Sequence, residues 1–392
     1  MTRIPTILEL YNDIISDLET EMQVRIPLVG RYFLRALAMV QASKLKLYYL
    51  AIASVQKNIF VDTADSEADG GTLERFGRVK LNRNPFTAIQ GQYTLEVVGS
   101  IGAIIKSETT FKSNDENVNS GKLFVIDADY TLTATTDTIT VRALEGGTDS
   151  KQFVGDKLSA TAPIANVNKI GTITAEIIEP LDAESLEDYR RKALDSYRLE
   201  AQGGAGTDYR LWSYDAQGVE QTYPYATSGQ SNEVTVYVEA ELTASTDGKG
   251  TPSAPLQQAV LDVIEFDPDT TKPTNERGRR PLGVFQVNIL PITVKEVDIT
   301  IENYVGLTTQ IATDIESALK TEVDKLRPFV SSCDILADKN DLLDNNKIIA
   351  TILNAKSGAS FGAITLKIDS VVTTSYVFAF GNIPHFNSVT FI

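Results

Sequence analysis

Thiols and imidazoles are nearly missing from this chain, which has one cysteine, Cys333, and one histidine, His385. A zinc cluster built from the usual Cys and His donors is therefore excluded, and so is an internal disulfide. A chain without a disulfide suits a reducing compartment. Positive charge is also scarce: 36 Lys and Arg stand against 52 Asp and Glu, giving a formal charge of −16. Phosphate backbones demand basic surface, so a nucleic-acid partner is not expected. Long uncharged apolar runs are lacking too. The most apolar long stretch, residues 32–54, carries Arg35, Lys44 and Lys46, which fits a packing helix rather than a membrane span. The opening MTRIPTILELYNDII lacks the basic, apolar and small-residue order of a signal peptide, so Sec export is not expected.

What remains is the mixture of a soluble globular protein, 42% apolar and 22% charged. Its 392 residues exceed one ordinary core and fit about two to four domains. Leu8, Tyr11, Ile15, Leu18 and Met22 recur at spacings of three and four, which predicts a helix with one apolar seam. Pro27 and Gly30 break it. A second long helix follows, with Phe33, Leu37, Val40, Leu47 and Ala51 on one face and Lys44 interrupting. Such a hairpin must bury its stripes, either on its own body or in a bundle shared with a partner chain. A third short helix is predicted over 65–79, ending in the connector KLNRNPF.

From 89 to 179 the texture changes. QYTLEVV, LFVIDA, YTLTA, TITVRAL and GTITAEII alternate and are separated by Gly, Asn, Asp and Ser, predicting antiparallel strands with one face buried. Helices return with Ser185-Leu-Glu-Asp188, a capping-box-like start, and Leu186, Tyr189, Ala193 and Tyr197 on one face. After Gly203-Gly204-Ala205-Gly206, Thr207 or Asp208 can cap a helix running through Tyr214, with Gly218 placed to end it. VEQTYPYA and VTVYVEA read as strands, and SAPLQQAVLDVIE as a helix carrying Leu256, Val260, Val263 and Ile264. In the last segment Val297, Ile299 and Ile301 alternate as a strand. Ile311, Ile315, Leu319, Val323 and Leu326 form a helical stripe, and 345–355 a shorter helix with Ile348, Ile349, Ile352 and Leu353. The tail from 364 to 392 reads as strands ending in a hairpin around His385. Helices and strands mix without regular βαβ alternation, so the class is α+β and multidomain. The expected domains are 1–82 (bundle-forming helices), 83–180 (β-rich), 181–290 (α+β with a helix, glycine turn and helix) and 291–392 (C-terminal α+β).

Chemistry is hard to place on this sequence. The glycine run resembles a phosphate cradle, but no Lys follows Gly206 and no strand precedes the glycines; a charged helix ends there at Glu200. It reads instead as a turn between two helices, where glycine supplies positive φ. Asp267-Pro-Asp269 imitates the start of a calcium loop, yet Lys272 stands at the sixth position and Gly278 at the twelfth, so it reads as a turn. His385 is flanked by Pro and Asn, and Cys333 has no basic neighbour in sequence to lower its pKa. The cluster Arg277-Gly-Arg279-Arg280 reverses the acidic background and reads either as a dock for an acidic surface or as a solvated loop. No catalytic, metal or cofactor residue is assigned.

Three stretches, taken in order, resemble the baseplate J-like family of wedge proteins in contractile-tailed phages and related contractile injection systems. They are LERFGRVKLNRNPFTAIQG from Leu73, DAESLEDYRRKALDSYRLEAQGGAGTDYRLWSYDAQGVEQTYPY from Asp182, and RRPLGVFQVNILPITVKEVDITI from Arg279. The loop 241–255 and the expected terminal hairpin depart from the pattern. The resemblance implies a structural role without an enzymatic reaction. Copies would pair within each wedge, join a smaller wedge protein through an N-terminal helical bundle, and link wedges into a sixfold ring around hub, spike and sheath initiator. Residues 291–392 would make ring or dimer contacts, and the particle would assemble in the bacterial cytoplasm, without nucleic acid or membrane insertion. A different class, a peripheral tail or adhesin module binding a host-surface glycan, predicts an exposed aromatic platform in the β domain, whose aromatics are Tyr93, Phe111, Phe124, Tyr130 and Phe153. A wall hydrolase needs a paired carboxylate, and 52 acidic residues single none out.

Overall fold

A computed structural model describes residues 3–26, 32–199 and 202–392. The expected helix breakers Pro27 and Gly30, and Glu200 before the glycine run, lie outside the described residues. The fold is α+β and multidomain. The chain divides into two compact units: Met1–Pro85 with Leu186–Tyr197, and Phe86–Ser185 with Arg198–Ile392.

The first unit is helical. Helix α1 (Ile7–Met22) starts at a reciprocal cap: Thr6 Oγ1 accepts from the Glu9 amide at 3.2 Å, and the Glu9 carboxylate accepts from the Thr6 amide at 2.8 Å. Its expected seam is only partly covered. Leu8 and Met22 are exposed, Tyr11, Ile15 and Leu18 are half-buried, and Leu10, off the seam, is the buried residue. In α2 (Tyr32–Lys57) the expected face is uncovered, and the buried residues are Ala38 and Ala42. Small side chains let α1 approach closely, which leaves the bulky residues on the far side. The single helix expected over 65–79 is two pieces, a 3₁₀ turn at Glu67–Asp69 and α3 (Leu73–Leu81). Gly70 (φ 79°) and Gly71 separate them, and a Cβ on Gly71 would stand 1.9 Å from the Asp65 carbonyl oxygen. Helix α4 (Leu186–Arg198) buries Tyr189 and Ala193 against Leu73, Val61 and Ala64. The Tyr189 hydroxyl donates to the Arg83 carbonyl at 2.7 Å, and a Cβ on Gly77 of α3 would meet that hydroxyl at 2.0 Å.

In the second unit, β1 (Gln92–Val98), β2 (Ile104–Ile105), β3 (Thr110–Ser113), β4 (Leu123–Val125), β5 (Tyr130–Thr131), β6 (Thr136–Ala143), β7 (Lys157–Ala160) and β8 (Ile170–Ile178) follow in order. Six of them close as β1-β6-β4-β3-β7-β8, while β2 pairs with β5. Every pairing is antiparallel, with Gln92 opposite Arg142 and Val98 opposite Thr136. Alternation points Tyr93, Leu95 and Val97 inward with Phe111, Phe124, Ile139 and Leu158. Closure removes the open strand edges, and each fully buried large aliphatic or aromatic residue contributes about 1.5–3 kcal/mol.

Beyond the barrel come α5 (Gly206–Ser213), β9 (Val219–Ala226), β10 (Glu233–Ala240), α6 (Ala254–Glu265) and β11 (Gln286–Pro291). The sheet order is β11-β10-β9, with β10 and β11 parallel because α6 carries the crossover. Leu256, Val260 and Ile264 of α6 pack with Val236 and Val238 of β10. The last segment holds β12 (Thr293–Ile301), α7 (Thr309–Asp324), β13 (Leu342–Asp344), α8 (Asn345–Ala355), β14 (Ile364–Ile368), β15 (Val371–Thr373), β16 (Ser375–Val377) and β17 (Asn382–Phe391). Its four-stranded sheet runs β15-β14-β12-β17, and Ile315, Leu319 and Val323 of α7 join Val297, Ile299 and Ile301 in one core. His385 does not sit in a hairpin: β17 lies parallel to β12, with His385 opposite Glu296. Pro384 fits there because β17 is an edge strand.

Candidate interaction surfaces and buried polar clusters

The glycine run has already spent the groups that would hold a phosphate. Helix α5 begins at Gly206, with Ala205 at its N-cap position. The Asp208 carboxylate turns back and accepts from the amides of Gln202 (2.9 Å), Gly204 and Ala205 (3.2 Å). A carboxylate of the chain itself thus answers the positive end of the helix. Thr207, one of the two expected caps, plays no such part, since its Oγ1 is buried without a hydrogen-bond partner. The helix ends at Ser213, and Gly218 (φ 89°) lies just before β9 instead of closing the helix. The run lies between two helices, α4 and α5, which fall in different compact units.

Helix α5 also buries a cation. Arg210 Nη1 lies 2.5 Å from Asp334 Oδ1, and its Nε donates to the Thr222 carbonyl at 3.1 Å. Asp334 in turn accepts from the Val330 amide at 2.6 Å, so the pair fixes the 330–334 turn. Cys333 therefore has a basic neighbour in space that the sequence did not show. Burial still pushes its thiol up, and this outweighs the opposing pull of Arg210. A second cluster joins β9, β10 and the segment after α7. There Tyr223 donates to Glu239 Oε2 at 2.5 Å, and Arg327 meets both oxygens of the same carboxylate at 3.2 and 3.0 Å. Burial drives the Tyr223 hydroxyl well up, and the Glu239 charge adds to it, so this phenol stays protonated and donates.

His385 Nδ1 stands 3.1 Å from Glu296 Oε2, a distance at which an imidazole can be oriented by a carboxylate. The third member is Lys249, whose ammonium meets Glu296 Oε1 at 2.5 Å. This ammonium, paired with the carboxylate, ties the Lys249 loop to strand β12. In the Asp267–Asp269 turn, Lys272 meets Asp267 Oδ2 at 2.7 Å and Arg279 meets Asp267 Oδ1 at 3.3 Å. Burial opposes the charge of Asp267, yet these cations and the local hydrogen bonds hold its carboxyl below the usual range. Among the described residues no group of three or more His, Cys, Asp and Glu side chains is arranged to hold a metal ion.

Two arginines of the cluster pair with carboxylates of the same chain, Arg279 largely covered and Arg280 exposed. Arg279 Nη1 bonds Asp215 Oδ2 at 2.7 Å and the Val263 carbonyl at 3.0 Å, and Arg280 pairs with Glu265 at 2.9 Å. Beside the exposed polar residues of this loop, Leu282 and Phe285 are also exposed.

Many uncovered apolar side chains lie on α2. Phe33 is 77% exposed, Leu47 64% and Val55 65%, with Leu37 and Val40 between them also exposed. The opposite side of the helix is engaged with the α1 segment: Arg35 donates to the Tyr11 hydroxyl at 2.8 Å and Lys46 to the Pro5 carbonyl at 2.9 Å. The barrel offers no comparable aromatic surface. Tyr93, Phe111 and Phe124 are in its core, Tyr130 is half-buried, and Phe153 alone of the five is exposed. Among the described residues no helix is long and apolar enough to cross a membrane.

No protein-family model matches this chain, and no curated protein matches it. Among solved structures, the chain is similar to one in the sixfold-symmetrised cryo-EM structure of the anti-feeding prophage (AFP) baseplate. The likeness covers 97% of this chain and 90% of that one, at 9% identity and a TM-score of 0.41.

Proposed function

We propose that this chain is a structural subunit of the baseplate of a contractile tail or injection system, a wedge protein of the baseplate J-like kind. The observation that carries the reading is the uncovered apolar face of α2. A stripe of large aliphatic and aromatic side chains on one helix, interrupted at Lys44, is a surface shaped for another helix. The three ordered stretches that resemble the family supply the context, and the charged clusters described above serve as internal ties. Residues 1–82 would bundle with a smaller wedge protein, residues 291–392 would make ring or pairing contacts, and the chain would reside in the particle baseplate around hub and spike. Copies that pair within a wedge and also link wedges need at least two different self-contacts. Triggering of sheath contraction would then be rigid-body movement at these interfaces. The glycan-binding alternative has lost its platform, because most barrel aromatics are in the core.

Removal of residues 1–58 tests the bundle. The core of Val61, Ala64, Leu73, Tyr189 and Ala193 begins beyond the cut, so the remainder is expected to stay folded although it loses the ties of Lys57 and Asn58 to Thr63, Asp65 and Thr72. It is expected to lose co-purification with the smaller wedge protein. Capture of that protein by the truncated chain would show the bundle reading to be wrong.

A further inference from the structure

The seam on α2 has one interruption, and its position carries information about what can dock. At 3.6 residues per turn, Phe33, Leu37, Val40, Lys44, Leu47 and Val55 share a face, with Lys44 midway between Phe33 and Val55. Lys44 is exposed and, among the described residues, has neither a hydrogen bond nor an ion pair. Its neighbours in charge are occupied elsewhere: Arg35 and Lys46 serve the α1 side. Helix α2 contains no acidic residue at all.

We propose that Lys44 selects the partner: the seam takes a helix from a different polypeptide, apolar along its own seam and carrying a carboxylate opposite Lys44. This rests on the reading of α2 as a bundle element. A lone ammonium buried in an apolar interface is strongly unfavourable, whereas one met by a carboxylate fixes register at modest cost. A second α2 cannot supply that carboxylate. Because Lys44 is central, two copies of the seam would set Lys44 against Lys44 in a parallel or an antiparallel pairing, and like charges would repel. The acidic residues of α1, Glu9, Asp13, Asp17, Glu19 and Glu21, sit on a helix already engaged with its own α2. The lysine is thus a device against self-pairing as well as a contact for the proper helix.

The test uses full-length chains and needs no identified partner, since the Lys44→Glu variant is itself the probe for an acidic seam. Sedimentation equilibrium is run on wild type, Lys44→Glu, Lys44→Leu, and an equal mixture of wild type and Lys44→Glu. The expected result is weak self-association of wild type and of Lys44→Glu, tighter self-association of Lys44→Leu, and a one-to-one pair in the mixture. That pair should be at least roughly tenfold tighter than either self-pairing and should weaken as salt rises. Association that is the same whatever stands at position 44 overturns the role of Lys44 while leaving the bundle reading in place. No association by any chain, Lys44→Leu included, overturns both, because the seam would then not be a helix-docking surface.

Discussion

Gly203, Gly204 and Gly206 are glycines for three different reasons, and the differences can be measured. Gly203 (φ 75°) faces open space, so only its left-handed backbone asks for glycine. Gly204 (φ 114°) adds a close approach, since a Cβ would lie 2.6 Å from Pro281 Cγ. Gly206 has no positive φ, yet a Cβ there would stand 2.0 Å from Ser332 Oγ. Gly206→Ala should therefore cost about 1–3 kcal/mol through overpacking, and Ser332→Gly in the same chain should recover most of it. Gly203→Ala should cost about 1 kcal/mol with no rescue by Ser332→Gly. Equilibrium unfolding in urea checks both; a Gly206→Ala loss that ignores residue 332 would place the strain elsewhere. That no lysine follows Gly206 and no strand precedes the glycines was legible in the sequence, because both are local facts. That Asp208 would turn back on the preceding amides, or that Arg210 would meet Asp334, was not legible. Those pairings are made by the fold between segments with no shared local pattern.

Helices and strands were legible where their periodicity is strong, as in α7 and in β1, and their partners were not. The 3.6-residue period of α2 identifies its apolar face correctly but says nothing about what covers that face. The structure answers that Ala38 and Ala42 face inward and the bulky stripe outward. Likewise the alternation in the tail predicts a strand, and alternation is the same in a hairpin and in a strand that returns beside β12. The long-range pairing that placed His385 also gives β12 a pH dependence. Lys249 first, with His385 beside it, holds the Glu296 carboxyl below its ordinary value of 4.5. Lys295 likewise holds Asp369 below its ordinary 3.8. Carboxyls with lowered folded pKa values contribute stability that is fully present above those ordinary values and lost as pH falls through the folded ones. The thermal midpoint should thus be insensitive to these groups at neutral pH and fall on acidification below pH 4.5. Both pairs are partly solvated, so together they are worth about 1 kcal/mol, or roughly 2 °C. The double variant Glu296→Gln, Asp369→Asn should flatten that part of the decline in a calorimetric series from neutral to acid; an unchanged slope would show that other carboxyls govern it.

At the scale of the molecule, a closed barrel, a three-stranded and a four-stranded sheet, two two-stranded ribbons and a helical unit are assembled without a disulfide and with many internal ion pairs. The α+β class followed from the irregular order of segments. The division into units was less legible: α4 is separated from α1–α3 by the whole barrel in sequence and returns to pack with α3. That return is made by Tyr189 against Gly77 and Leu73, a contact no local window contains. The account then rests on one claim, that the chain is a built-in component of a contractile particle and not a free enzyme or a carbohydrate-binding module. The most direct measurement is to sediment sheathed particles from the producing cells and locate the chain on them by antibody labelling in the electron microscope. The account predicts a fixed, stoichiometric amount of the chain in the particles, with label confined to the baseplate end. Particles that lack the chain, or carry it elsewhere than the baseplate, would contradict it.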